Sequence, residues 1–139
     1  MANPWEEISL SDYENHMKLD SIMQLQNMNQ MMKSQFGAYP VSSVMILGIA
    51  GGNGLECIQL NLIEEADRLP KAELLVANLL IEYIGYDCFQ KTVEQVQAQY
   101  ISCIIQINVN NTWVSDSPYI HVFDELDKVH HQIEADSLI

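Results

Sequence analysis

The residues with the most chemical promise sit in LGIAGGNGLE, residues 47–56, which follows the apolar run VMI at 44–46. Gly48, Gly51, Gly52 and Gly54 permit positive φ and let the backbone come close to a ligand. A loop between a strand and a helix also offers free amide N–H groups to an anionic group. The spacing G-x-x-G-x-x-G (Gly48, Gly51, Gly54) overlaps the fingerprint of dinucleotide sites. The Lys-Ser or Lys-Thr of a P-loop is missing, which argues against a Walker-type phosphate site. The plainer account is a tight strand-to-helix turn that holds nothing.

Composition narrows what such a loop would hold. The chain has 139 residues, a formal net charge of -13 and only 6 Lys and Arg against 19 Asp and Glu. A nucleic-acid partner calls for a basic patch, and none can be assembled from so few cations. Anionic membrane surfaces are disfavoured for the same reason. A small molecule or a protein partner fits better. Cys57, Cys88 and Cys103 are odd in number, form no C-x-x-C and sit among apolar neighbours. Buried thiols in a reducing cytosol are expected. Neither a signal peptide nor an apolar run of about 18 residues is found, so a cytoplasmic chain is expected. His130 and His131 are adjacent; on a helix they point about 100° apart and make poor joint metal ligands, so no metal site is expected.

The elements that must position the loop can be read from periodicity. Ser9 or Ser11 can cap a helix, with Glu14 three residues after Ser11 as in a capping box. Met17, Ile22, Leu25, Met28 and Met32 continue at helical spacing as a core face, and the helix should end near Phe36-Gly37. Val44–Gly48, Glu73–Asn78 and Ile101–Ile107 read as short buried strands of a parallel sheet. Phe89, Val93 and Val96 predict a crossover helix over 86–98, giving a right-handed βαβ unit. The segment CIQLNLIEEADRL, 57–69, fits a strand or a helix equally well. After the loop NNTWVSDSPY the tail reads as helical from Phe123 to the end, with DELD at 124–127 complementing the helix dipole.

On these residues the chain resembles the class I S-adenosylmethionine-dependent methyltransferases of the bacterial small-molecule type. LGIAGGNGLE is similar to their first cofactor motif. DYENHM ahead of it, LPKAELLVANLLIEYIG and YISCIIQIN resemble the family's N-terminal segment and two later strands. The resemblance implies an α/β fold with a Rossmann-like, mostly parallel sheet and flanking helices, incomplete beside the family's seven strands. It implies a single domain over 1–139, with 1–40 as a helical cap and 41–139 as the core. Three departures stand out. Ile46 occupies the usual acidic position, Ala50 replaces a glycine, and Glu56 runs almost directly into CIQLNL, where the family has a helix, a strand ending in a ribose-binding acid and another helix. The resemblance thus implies shortening both internally and at the C-terminus.

By motif position, Gly48, Ala50, Gly51, Gly52 and Asn53 would line the cofactor's amino-acid portion. Asn78 and Leu79 would face its methionine moiety, and Asn61 the adenine side. Tyr13, His16 and His121 are the candidates for contact with the acceptor; Trp113 and Tyr119 could stack on an aromatic one. Plain packing or solvation is the competing account for each. The function implied is methyl transfer to a small acceptor by S-adenosylmethionine. A catalytically inactive cofactor-binding or interaction domain of the same ancestry, and a nicotinamide dinucleotide-binding domain, are the alternatives. Exposed sheet edges and apolar faces predict a homodimer or an aggregation-prone chain.

Overall fold

A computed structural model describes residues 4–48, 57–108 and 114–138. The chain folds as two compact units, Met1–Tyr39 with Asn108–His130 and Pro40–Ile107 with His131–Ile139. Among the described residues no helix is long and apolar enough to cross a membrane.

The second unit is α/β. Strands β1 (Val44–Leu47), β2 (Leu74–Asn78) and β3 (Tyr100–Ile104) form one open parallel sheet in the order β1-β2-β3. Val44 pairs with Leu74, and Leu74 with Tyr100. This is a Rossmann-like arrangement, incomplete beside a seven-stranded sheet. Leu74, Leu75, Val76 and Ala77 are all buried, as a central parallel strand requires. Before β2, the Glu73 carboxylate accepts from Ser42 N at 3.1 Å and from Ser42 Oγ at 2.5 Å, while Glu73 N donates to Ser43 Oγ at 2.9 Å. These bonds fix the register of β1 on β2, and they hold the Glu73 carboxyl below its ordinary range.

The crossover helix between β2 and β3 spans Ile81–Val96, five residues earlier at its start than periodicity predicts. Gly85, at φ 75° and ψ 169°, breaks the helical path and separates the first turn from the body. That break hides the first turn from a periodicity reading. Ile81, Phe89 and Val96 pack with Leu47, Leu69, Leu75, Ala77 and Ile133 in one core. The ambiguous segment is neither a strand nor a long helix. Residues 57–61 are irregular, Leu62–Glu65 forms a single helical turn, and Ala66–Arg68 is a 3-10 turn. Cys57 is exposed, contrary to the expected buried thiol, because its segment joins no regular element; Cys88 and Cys103 are half-buried.

The first unit is helical, with α1 (Pro4–Glu7), α2 (Leu10–Lys18) and α3 (Gln24–Gly37). In chain order the single turn Leu62–Glu65 is α4, the crossover helix α5 and the turn Phe123–Leu126 α6. Ser9, not Ser11, caps α2, its Oγ accepting from Asp12 N at 3.2 Å. The expected single N-terminal helix is interrupted between Lys18 and Gln24, where Met23 takes a left-handed φ of 58°. Met17, Ile22, Leu25, Met28 and Met32 are half-buried rather than fully buried. The tail is likewise not one helix: after α6 the chain turns, and only Ala135–Leu138 forms a further 3-10 turn. His130 and His131 therefore lie outside any helix.

Candidate functional site

The chemistry-bearing residues of the second unit gather at the carboxyl ends of the three strands. Open α/β sheets bind ligands there, because the loops leaving the strands diverge and leave a crevice. Gly48 follows β1 directly and has a φ of 68°. The left-handed backbone favours glycine here, and a Cβ placed on it would press on Leu80 Cδ1 at 3.1 Å. Asn78 ends β2, and Leu79 adopts a left-handed φ of 51° while its N–H donates to Ile104 O at 2.8 Å. That bond ties the exit of β2 to the end of β3 and turns the chain into α5.

Glu82, in the first turn of α5, is the feature the sequence reading missed. Its carboxyl is buried, with the residue 2% exposed. Oε1 accepts from Gln106 N at 2.7 Å, just beyond β3. Oε2 is buried and receives no hydrogen bond among the described residues. A buried, half-satisfied carboxyl is costly, and it lowers that cost by keeping a proton. Burial accordingly pushes the Glu82 carboxyl above its ordinary range, against the opposing pull of the Gln106 amide. The Glu82 backbone carbonyl accepts from His131 N at 2.6 Å, which anchors the segment after α6. Cys103, on β3, has its thiol pushed up to about 11, first by burial and then by the charge of Glu82. It is therefore no thiolate nucleophile near neutrality. The signal in the sequence is a lone carboxylate inside the otherwise uncharged run LLIEYIG, 79–85.

Asn61 serves a local purpose. Its Oδ1 accepts from Ile63 N at 3.1 Å as the cap of α4, and its N–H donates to Glu65 Oε2 at 3.0 Å. This is a reciprocal capping arrangement. Ala50, Gly51, Gly52, Asn53 and Glu56, like Trp113, lie outside the described residues.

Tyr13, His16 and His121 come together in the first unit. His16 is buried, its Nδ1 is 2.7 Å from Ser117 Oγ, and its ring meets the Phe123 ring edge-on at 4.6 Å. Burial lowers its imidazole below the ordinary value. Ser117 Oγ also accepts from Tyr119 N at 3.1 Å, so the hydroxyl bridges the histidine and its own turn. Tyr13 packs between Trp5 and Phe123, at ring distances of 5.3 and 5.9 Å, and burial pushes its phenol up. His121 is exposed, with Nε2 3.0 Å from Asp12 Oδ2. Every one of these groups has a packing or hydrogen-bonding duty within its own unit. Among the described residues no cluster of His, Cys, Asp and Glu forms a metal site.

Comparison with protein-family models, with curated proteins and with solved structures finds no match to this chain.

Proposed function

We propose that the chain binds S-adenosylmethionine at the carboxyl ends of its strands and passes the methyl group to a small acceptor. The observation that carries this reading is Gly48. It is a left-handed glycine directly after β1, close against Leu80, and it is the first glycine of the motif LGIAGGNGLE. Such a turn brings backbone close to whatever occupies the crevice.

When bound, S-adenosylmethionine supplies a methyl group already activated on a sulfonium. The protein's task is then to hold the acceptor in line and exclude water. Gly48 and the glycines that follow would cradle the amino-acid portion, with Asn78 and Leu79 beside the methionine chain. A cytoplasmic setting, suggested by the odd number and wide spacing of the cysteines, is part of this reading. Exposed Val44 on β1 and Ile101 on β3 agree with a homodimer.

One observation favours the inactive alternative. Residues 57–61 are irregular and Asn61 is spent on capping α4, so neither a second-strand acid for the ribose nor an adenine contact is evident among the described residues. Titration calorimetry with S-adenosylmethionine, S-adenosylhomocysteine and NAD separates the readings. Heat from the first two alone supports the proposal. Heat from NAD alone moves the chain to the dinucleotide reading, and silence from all three leaves an interaction domain.

A further inference from the structure

We propose that Ser117 and His16 form a nucleophile–base pair, and that Ser117 takes the acyl group of a small, neutral ester or thioester. The pair lies within the first unit and stands independently of the methyl-transfer reading.

Four observations lead there. The first is distance. Ser117 Oγ stands 2.7 Å from His16 Nδ1, within the reach that marks a serine nucleophile and its base. The two residues are 101 positions apart, so the fold and not a local turn makes the contact. The second is the state of the base. His16 is buried, and burial lowers its imidazole below the ordinary value, so near neutrality it is uncharged and able to take a proton. The ring is also held in place. It meets Phe123 edge-on at 4.6 Å, and the backbone carbonyl of His16 accepts from Leu19 N at 3.2 Å as α2 ends. The third is the oxygen itself. Tyr119 N–H donates to Ser117 Oγ at 3.1 Å, and a donor aimed at an oxygen favours its negatively charged form. The fourth is access. Ser117 is half-buried in an irregular stretch between Asp116 and Pro118, both exposed. The base is thus shielded from water while its partner serine lies at the surface.

The chemistry follows from that pairing. Nδ1 takes the hydroxyl proton as an Oγ lone pair forms the new bond to the carbonyl carbon. The bond from that carbon to the leaving oxygen or sulfur then breaks, its electron pair departs with the leaving group, and Nδ1–H returns the proton to it. Water repeats the sequence on the acyl-serine, releasing a carboxylic acid and restoring Ser117. The exposed Asp116 beside the nucleophile, on a chain of net charge -13, disfavours an anionic ester.

The test incubates the full chain with p-nitrophenyl acetate, follows nitrophenolate release and maps the acetyl group by peptide mass spectrometry. A burst of release is expected, with the acetyl group on Ser117. Ser117 should react at least about a hundredfold faster than the exposed Ser11 and Ser115, as a positioned base provides. His16→Gln should slow acetylation of Ser117 by about a hundredfold, and Ser117→Ala should abolish the burst. The comparison among serines uses the wild type alone, so it holds even where a variant does not fold. Acetyl groups on lysines only, equal rates at the three serines, or an unchanged rate in folded His16→Gln overturns the proposal and leaves Ser117 as the closure of its own turn.

Discussion

Gly48 and Leu80 close on each other at the carboxyl ends of β1 and β2: a Cβ on Gly48 would stand 3.1 Å from Leu80 Cδ1, and Gly48 has a φ of 68°. An L-residue in the left-handed region costs about 1–2 kcal/mol. Gly48→Ala should therefore lower Tm by about 3–6 °C. It should also weaken S-adenosylmethionine binding, measured by calorimetry. Gly37→Ala is the control, since a Cβ there meets nothing within 4 Å and its φ is not positive. Equal melting of the two variants would remove the conformational argument for Gly48.

Glu82 should make stability depend on pH in a direction opposite to the usual carboxylate. Its folded pKa lies above the ordinary 4.5. The stability it contributes is present below that ordinary value and is lost as pH rises through the raised one. Glu82→Gln does not titrate. The difference in Tm, variant minus wild type, should grow as pH rises above 4.5. A difference that stays flat across this range contradicts a buried, proton-retaining carboxyl.

Asn61 distinguishes capping from ligand contact. Asn61→Ala removes the acceptor for Ile63 N and should cost about 1 kcal/mol, whereas Asn61→Asp keeps the cap. Amide exchange at Ile63 should accelerate only in the alanine variant. Affinity for S-adenosylmethionine should stay within about twofold in both, because the oxygen is committed to α4. A selective loss of affinity would restore the adenine-side assignment.

In the first unit, Ser117→Ala would strand the Nδ1 of the buried His16. The expected cost is about 1–3 kcal/mol, readable by urea denaturation. The lowered pKa of His16 adds a pH signature. Its contribution is present above the ordinary value of 6.5 and lost as pH falls below it. His16→Gln should abolish that part of the acid sensitivity; unchanged sensitivity would place its origin elsewhere.

The parallel sheet was legible because each strand is a short apolar run bounded by polar or glycine residues. The body of α5 was legible because Phe89, Val93 and Val96 recur at helical spacing. What escaped did so for definite reasons. Gly85 breaks the helical path, so the first turn carrying Glu82 looked like the loop after a strand. Met23 bends the chain between α2 and α3 within a pattern of methionines that never loses its period. In 57–69 the alternation of Ile58, Leu60 and Leu62 was a coincidence of composition: Ile58 is 61% exposed and faces no sheet. Only Leu60 and Leu62 of that set pack against the core. Periodicity records where apolar residues fall, whereas the need for Glu82 to be buried depends on contacts with Gln106 and His131, far along the chain.

The strands stand side by side in the order in which they are synthesised, β1, β2, β3. Assembly can therefore proceed by accretion. Each strand adds to the outer flank of the one before it, and none has to be inserted between two partners that have already joined.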